Sequence, residues 1–121
     1  MLKNLILVFI GGGLGSVFRY LISRVEILNS AIPYNTLIVN TIGSLLIGII
    51  LGYYLKNETL NSNYIIFFTT GFCGGFTTFS AFTNESLKLL SDGNFLLFFV
   101  YITLSIILGL CAVYIGFTFS K

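Results

Sequence analysis

Three stretches of this chain, Ile27 to Leu55, Thr59 to Asn84 and Gly93 to Ser120, contain no Asp, Glu, Lys or Arg. Each is longer than the roughly 20 residues that a helix needs to cross the hydrocarbon of a bilayer. A fourth span comes from the N-terminus, Asn4 to Phe18, continued past Arg19 by Tyr20 to Ser23. Inside a membrane every backbone N–H and C=O must be satisfied within the protein, so spans of this length are read as helices. The expected architecture is all-α: one four-helix transmembrane domain over residues 1–121, with no chain left for a soluble domain. Composition agrees, since 56% of the residues are hydrophobic and only 8% charged, too few charges for the surface of a soluble domain.

The first span has some features of a secretory signal, with Lys3 ahead of an apolar run and small residues after it. Gly11 to Ser16 is followed by more apolar helix, though, and not by an A-x-A-like cleavage site. With no targeting segment, a multi-pass protein of the bacterial cytoplasmic membrane is expected.

The same composition excludes several functions. There is no histidine, and the two cysteines, Cys73 and Cys111, lie in different spans outside any metal-binding or CxxC cluster. No carboxylate is expected inside the spans, so the usual acid/base and metal-hydrolysis chemistries lack their parts and an enzyme is not expected. A net charge of +2 is too small for nucleic acid. With four spans, Lys3, Lys56 and Lys121 fall on one side of the membrane and Arg19, Arg24 and Lys88 on the other. Orientation follows Lys/Arg asymmetry across short loops, and three against three gives none. An antiparallel homodimer of oppositely inserted copies is the expected assembly.

Along the first span, Gly11/Gly15 and Gly12/Ser16 are small-xxx-small pairs that let helix backbones approach closely. The second span starts after Pro33 and carries Thr36, Asn40, Ser44, Gly48 and Gly52 at intervals of four, one small and polar face. Packing glue explains the Ser and Gly positions, whereas a carboxamide near mid-span is costly without partners and points equally to an ion pathway. On the fourth span, from about Phe95 to Phe119, residues Tyr101, Ser105, Gly109, Ala112 and Gly116 form a similar stripe. It reads either as a packing seam with an anchoring tyrosine or as a row of hydroxyl donors facing a pore.

The third span holds the densest signal. Glycines and hydroxyl residues from Gly71 to Ser80 predict two half-helices, about Tyr64 to Gly71 and about Ser80 to Leu90, with an irregular segment between them. Such breaks are tolerated at membrane depth only where protein or water satisfies the backbone, and they commonly mark ion sites. Unwound backbone around Gly74 to Thr78 would offer carbonyl oxygens to a hard cation such as Na⁺. Phe79 and Phe82, three apart on one helix side, could turn their positive ring edges toward an anion, although most of the 13 phenylalanines must be lipid-facing or core.

These residues carry a resemblance. The segment GFCGGFTTFSAFTNE from Gly71 to Glu85, with GGGLGSVFRY at Gly11 to Tyr20 and NTxxxNxxGSxxxG at Asn35 to Gly48, resembles the Fluc fluoride channel family over essentially the whole chain. The resemblance implies an antiparallel, dual-topology homodimer with two pores, passive fluoride export, and a structural Na⁺ at the centre of the dimer. It implies that the backbone carbonyls of Gly74 and Thr77 hold the Na⁺ and that Phe79 and Phe82 form an aromatic box for fluoride. Asn40 would be the amide donor of that region, while Tyr101 and Ser105, with Thr36 on the polar face of the second span, would contribute to the fluoride pore. Arg19 would favour anion entry at the aqueous mouth, and Glu85 would line a vestibule. Gly109 and Ala81 depart from the family pattern, each removing a hydroxyl.

A small dual-topology, proton-coupled cation or drug exporter is the alternative. It would need a membrane-embedded glutamate in its first helix. Here that helix has none, and Glu26 lies beyond Arg24 at its end. A purely structural subunit would explain the glycine seams but not a third helix broken at mid-membrane.

Overall fold

The computed structural model describes residues 1–25, 30–56 and 61–121; residues 26–29, Glu26 among them, and 57–60 lie outside them. Among the described residues, five helical segments make four membrane-length spans: α1 (Leu2–Ser23), α2 (Tyr34–Lys56), α3 (residues 62–76), α4 (Phe79–Ser91) and α5 (Phe95–Ser120). The third span is α3 followed by α4, so the chain is an all-α, four-span membrane protein with its third helix interrupted.

Local chemistry fixes the ends. The Asn61 side chain caps α3 by accepting from the Asn63 N–H at 3.0 Å. At the end of α4 the Asn94 N–H reaches the Leu89 carbonyl at 2.9 Å and the Gly93 N–H the Leu90 carbonyl at 3.1 Å, with Gly93 at φ 76°. This is a Schellman turn, which needs a left-handed residue just past the helix. It folds α5 back on α4 without a long loop.

The interruption is narrower than the glycines predict. Backbone stays helical from Ser62 through Phe76, as a short α-turn, a π-helix over Ile66–Cys73, and Gly74–Phe76. Only Thr77 (φ −81°, ψ 157°) and Thr78 (φ −148°, ψ 119°) are extended. Gly71, Gly74 and Gly75 therefore do not unwind the chain. A Cβ on Gly75 would collide with the Gly12 carbonyl, and one on Gly71 would sit 3.1 Å from Gly11 Cα. Glycine here brings α1 and α3 into backbone contact, the usual way membrane helices associate when lipid supplies no hydrophobic drive.

The helices pair as α1 with α3 and α2 with α5, while α4 lies against α5 and α2. Gly11 and Gly15 of α1 face the Phe67 and Phe72 carbonyls of α3. Gly48 of α2 faces the Val113 carbonyl of α5, and Gly116 of α5 faces that of Leu45. The Gly48–Gly52 end of the polar face on α2 is thus a packing seam, whereas its Thr36–Asn40 end turns toward the interruption. The small core comprises Leu37, Leu89 and Tyr101, packed by Ile32, Tyr34, Phe82, Leu97 and Phe98. Large apolar side chains cover the outside, Phe9, Leu96 and Phe119 among them, as suits a protein whose solvent is lipid.

Candidate ion site

A tally of donors and acceptors at the interruption defines the site. In a continuous helix the Thr78 N–H would bond the Gly74 carbonyl. Instead it donates to Asn40 Oδ1 at 2.8 Å, and Asn40 Nδ2 donates back to the Thr78 carbonyl at 3.1 Å. Asn40 replaces the two helical bonds of one residue, which accounts for a carboxamide at that depth. The Ala81 N–H, due to the Thr77 carbonyl, donates to Thr78 Oγ1 at 3.2 Å and makes Thr78 the N-cap of α4. The Gly75 carbonyl accepts from Arg19 Nε at 3.0 Å and Ser16 Oγ at 3.3 Å. The Cys73 carbonyl accepts from the N–H of Thr77 at 2.9 Å and its hydroxyl at 2.8 Å. The N–H groups of Thr78 and Ala81, the regular donors to the Gly74 and Thr77 carbonyls, are thus turned elsewhere, and the Phe76 carbonyl likewise loses its helical donor at the interruption. Neutral oxygens of that kind suit a hard monovalent or divalent cation.

Immediately past the interruption come the aromatic residues. Phe79 and Phe82 have ring centroids 5.8 Å apart with planes tilted by 44°, and Phe82 lies 5.4 Å from the Tyr101 ring at 48°. Phe79 is 77% exposed, so most of its side chain is open to whatever covers α4. Asn40, Thr77 and Phe79 share a groove with Ser44, Ile47 and Thr78. A carboxamide nitrogen carries two hydrogens and the bond to Thr78 uses one, so Asn40 keeps a donor for this groove.

On the other side of Phe82 stands the residue whose role the sequence left least defined. Glu85 lies within the third span, and its Oε1 accepts from the Thr36 hydroxyl and its Oε2 from the Tyr101 hydroxyl, each at 2.7 Å. The expectation that no carboxylate would lie inside a span is therefore corrected. Tyr101 is fully buried, and a buried phenol needs an acceptor. Glu85 follows Phe82 by three and precedes Leu89 by four, which places it on the core-facing side of α4. Helical spacing from Phe82 and Leu89 was the signal that could have found it. Ser105 does not face open space with its proton, since its hydroxyl donates to the Tyr101 carbonyl at 2.7 Å.

Arg19 lies partly inside the bundle. Besides holding the Gly75 carbonyl, it lines a small cleft with Ser23, Asn35, Thr36, Val39 and Thr78. Its charge thus leaves the loop tally, which becomes Lys3, Lys56 and Lys121 against Arg24 and Lys88. Glu85 faces a second, wider cleft with Lys88, Asp92 and Asn94. Thr36 stands between the two clefts, lining one and bonded to the carboxylate that lines the other.

A sequence model of the family described as "CrcB-like protein, Camphor Resistance (CrcB)" matches residues 6–117. Curated proteins named fluoride-specific ion channel FluC are similar along their full length. That of Azobacteroides pseudotrichonymphae is 46% identical over 123 residues, covering 100% of this chain and 98% of its own. That of Bacteroides fragilis is 48% identical over 122 residues, covering 95% and 94%. An archaeal relative from Pyrococcus abyssi is 38% identical over 120 residues, covering 99% and 98%. Matched over nearly all its length by both kinds of comparison, the chain belongs to the CrcB-like, or Fluc, family.

Proposed function

We propose that this protein is a fluoride channel of the cytoplasmic membrane, which lets fluoride leave the cell down its electrochemical gradient. The observation that carries the reading is the two-residue interruption of the third helix, clamped by Asn40 and followed at once by Phe79 and Phe82. Fluoride is small and strongly hydrated, so a path through a low-dielectric layer must replace its water with donors. The free amide hydrogen of Asn40 and the hydrogen-bearing edges of Phe79 and Phe82 offer that without a fixed positive charge that would trap the ion. Thr36 and Tyr101 hold Glu85 beside the rings, Ser105 supports Tyr101, and Arg19 supplies positive potential at the neighbouring cleft. The names of the relatives support fluoride over other anions.

In proteoliposomes loaded with equal fluoride and chloride, fluoride should leave at least about 100-fold faster, a barrier difference of roughly 2.7 kcal/mol. Equal release of the two halides would defeat the reading. The proton-coupled exporter has no observation in its favour, since α1 contains no acidic residue to couple proton and substrate.

The working unit we infer is an antiparallel homodimer with two pores. Phe79 is exposed in the single chain, and the remaining bias of one basic residue between the two faces is a weak orienting signal. A C-terminal tag on cell-derived vesicles should be cleavable from outside in about half the copies, since a bias of one basic residue across the loops is too small to fix one orientation. Protection or cleavage of nearly every copy would rule out dual insertion.

Within the dimer, the Gly74 and Thr77 carbonyls of both copies would hold a structural Na⁺. The ion would supply positive charge that ties the two interruptions together. Replacing Na⁺ by N-methylglucamine during purification should lower the dimer fraction measured by single-molecule photobleaching. An unchanged fraction after complete Na⁺ removal would assign those oxygens another partner.

A further inference from the structure

We propose that the Ser44 hydroxyl is a further fluoride-contacting donor, presented from α2 at the level where α5 has no side chain. The inference rests on the channel reading above and adds a residue to its path.

Hydroxyl residues in the helices of this protein repeatedly turn inward on their own backbone. Thr41 donates to the Leu37 carbonyl, Thr69 to Ile65, Ser86 to Phe82, Ser91 to Leu87, Ser105 to Tyr101 and Ser120 to Gly116, all four residues back. This is the ordinary resting place for a helical hydroxyl with nothing else to bond. Ser44 departs from it, as do Thr70, Thr103 and Thr118, but those three are exposed on the outer surface. Among the described residues the Ser44 hydroxyl forms no hydrogen bond, although the Asn40 carbonyl stands four residues back. Nor is it sealed away, since Ser44 is partly exposed and lines the groove with Asn40, Ile47, Thr77, Thr78 and Phe79.

The donors around it are otherwise committed. On α5 the stripe Tyr101, Ser105, Gly109 runs at intervals of four; Tyr101 gives its proton to Glu85, Ser105 to a backbone carbonyl, and Gly109 has none to give. Thr36 gives its proton to Glu85, and Asn40 has spent one of two on Thr78. A Cβ built on Gly109 would lie 3.8 Å from Ser44 Oγ, in ordinary contact. The α2 hydroxyl therefore stands opposite the vacancy in the α5 row, one helical turn from Asn40. An unpaired hydroxyl at this depth is unfavourable until an acceptor arrives, and a small anion in the groove is a strong one.

The test moves the hydroxyl from α2 to the facing position on α5. In proteoliposomes Ser44→Ala should slow fluoride release about tenfold, equivalent to 1.4 kcal/mol, while the unfolding temperature and dimer fraction stay at wild-type values. The double variant Ser44→Ala with Gly109→Ser should recover release to within about threefold of wild type, since 3.8 Å leaves room for the new side chain. Wild-type release from Ser44→Ala would overturn the proposal. So would a slow variant that melts earlier and is not recovered by the second change, which would make Ser44 a packing residue. A wild-type protein that releases no fluoride at all would fail at the channel reading instead, before Ser44 is in question.

Discussion

Asn40→Ala should reduce fluoride release by about 100-fold or more and lower the unfolding temperature as well. Both polar groups of the Asn40 side chain are engaged with the N–H and C=O of Thr78. Removing them leaves a donor and an acceptor unpaired at the interruption, each costing about 1–3 kcal/mol, so the extended conformation of Thr77 and Thr78 loses roughly 2–6 kcal/mol of support. The backbone can recover these bonds only by closing toward a continuous helix, which would re-aim Phe79 and Phe82. Asn40→Asp separates the two halves of the effect. Its carboxylate can still accept from the Thr78 N–H, but it offers no donor to the Thr78 carbonyl and adds negative charge where fluoride must pass. Release should therefore fall as far as in the alanine variant while thermal stability falls less. Efflux and melting at wild-type values in Asn40→Ala would show that the clamp does not maintain the interruption.

Gly15→Ala should be the most disruptive single-methyl change in the chain. A Cβ there would overlap the Phe72 carbonyl and come within 2.7 Å of the Phe76 amide nitrogen. Both neighbours are backbone of α3, and no side-chain rotation relieves the overlap. Overpacking typically costs 1–3 kcal/mol, and rigid neighbours put this site near about 3 kcal/mol. Because α3 carries the Gly74 oxygen and leads into Thr77, separating it from α1 also weakens the Arg19 and Ser16 bonds to Gly75. The variant should yield little monodisperse protein and melt well below wild type. Gly13, two residues earlier, meets nothing within 4 Å, and Gly13→Ala should leave the folded chain intact. Equal behaviour of the two variants would mean that the α1–α3 contact is not the close one described.

Much of this architecture is legible without coordinates because hydrocarbon imposes simple rules. Charge-free runs mark the spans, Pro33 precedes α2, and the Asp92-Gly93-Asn94 sequence marks the turn between α4 and α5. The interruption was legible in kind but not in extent. Glycines in a polar third span look like unwinding, yet Gly71 and Gly75 serve the approach of α1, and the extended residues are two threonines. Sequence cannot distinguish a glycine that bends its own chain from one that admits a neighbour. Glu85 was obscured for a related reason. It stands at the edge of an uncharged run, where a charge ordinarily belongs to water, and only folding brings Thr36 and Tyr101 to its two oxygens.

The wide π-turn over Ile66–Cys73 bears on everything after it. Such a turn accommodates one residue more than an α-helical path of the same length, and each residue of an α-helix advances the azimuth by about 100°. An α3 wound regularly from Ser62 would arrive at its C-terminal end rotated by about that angle. The Thr78 backbone would then swing away from the α2 carboxamide, and the last carbonyls would aim at a different quadrant of the bundle. The surplus residue works as an angular shim: it leaves the glycine faces flush with α1 and still delivers the kink on the correct bearing.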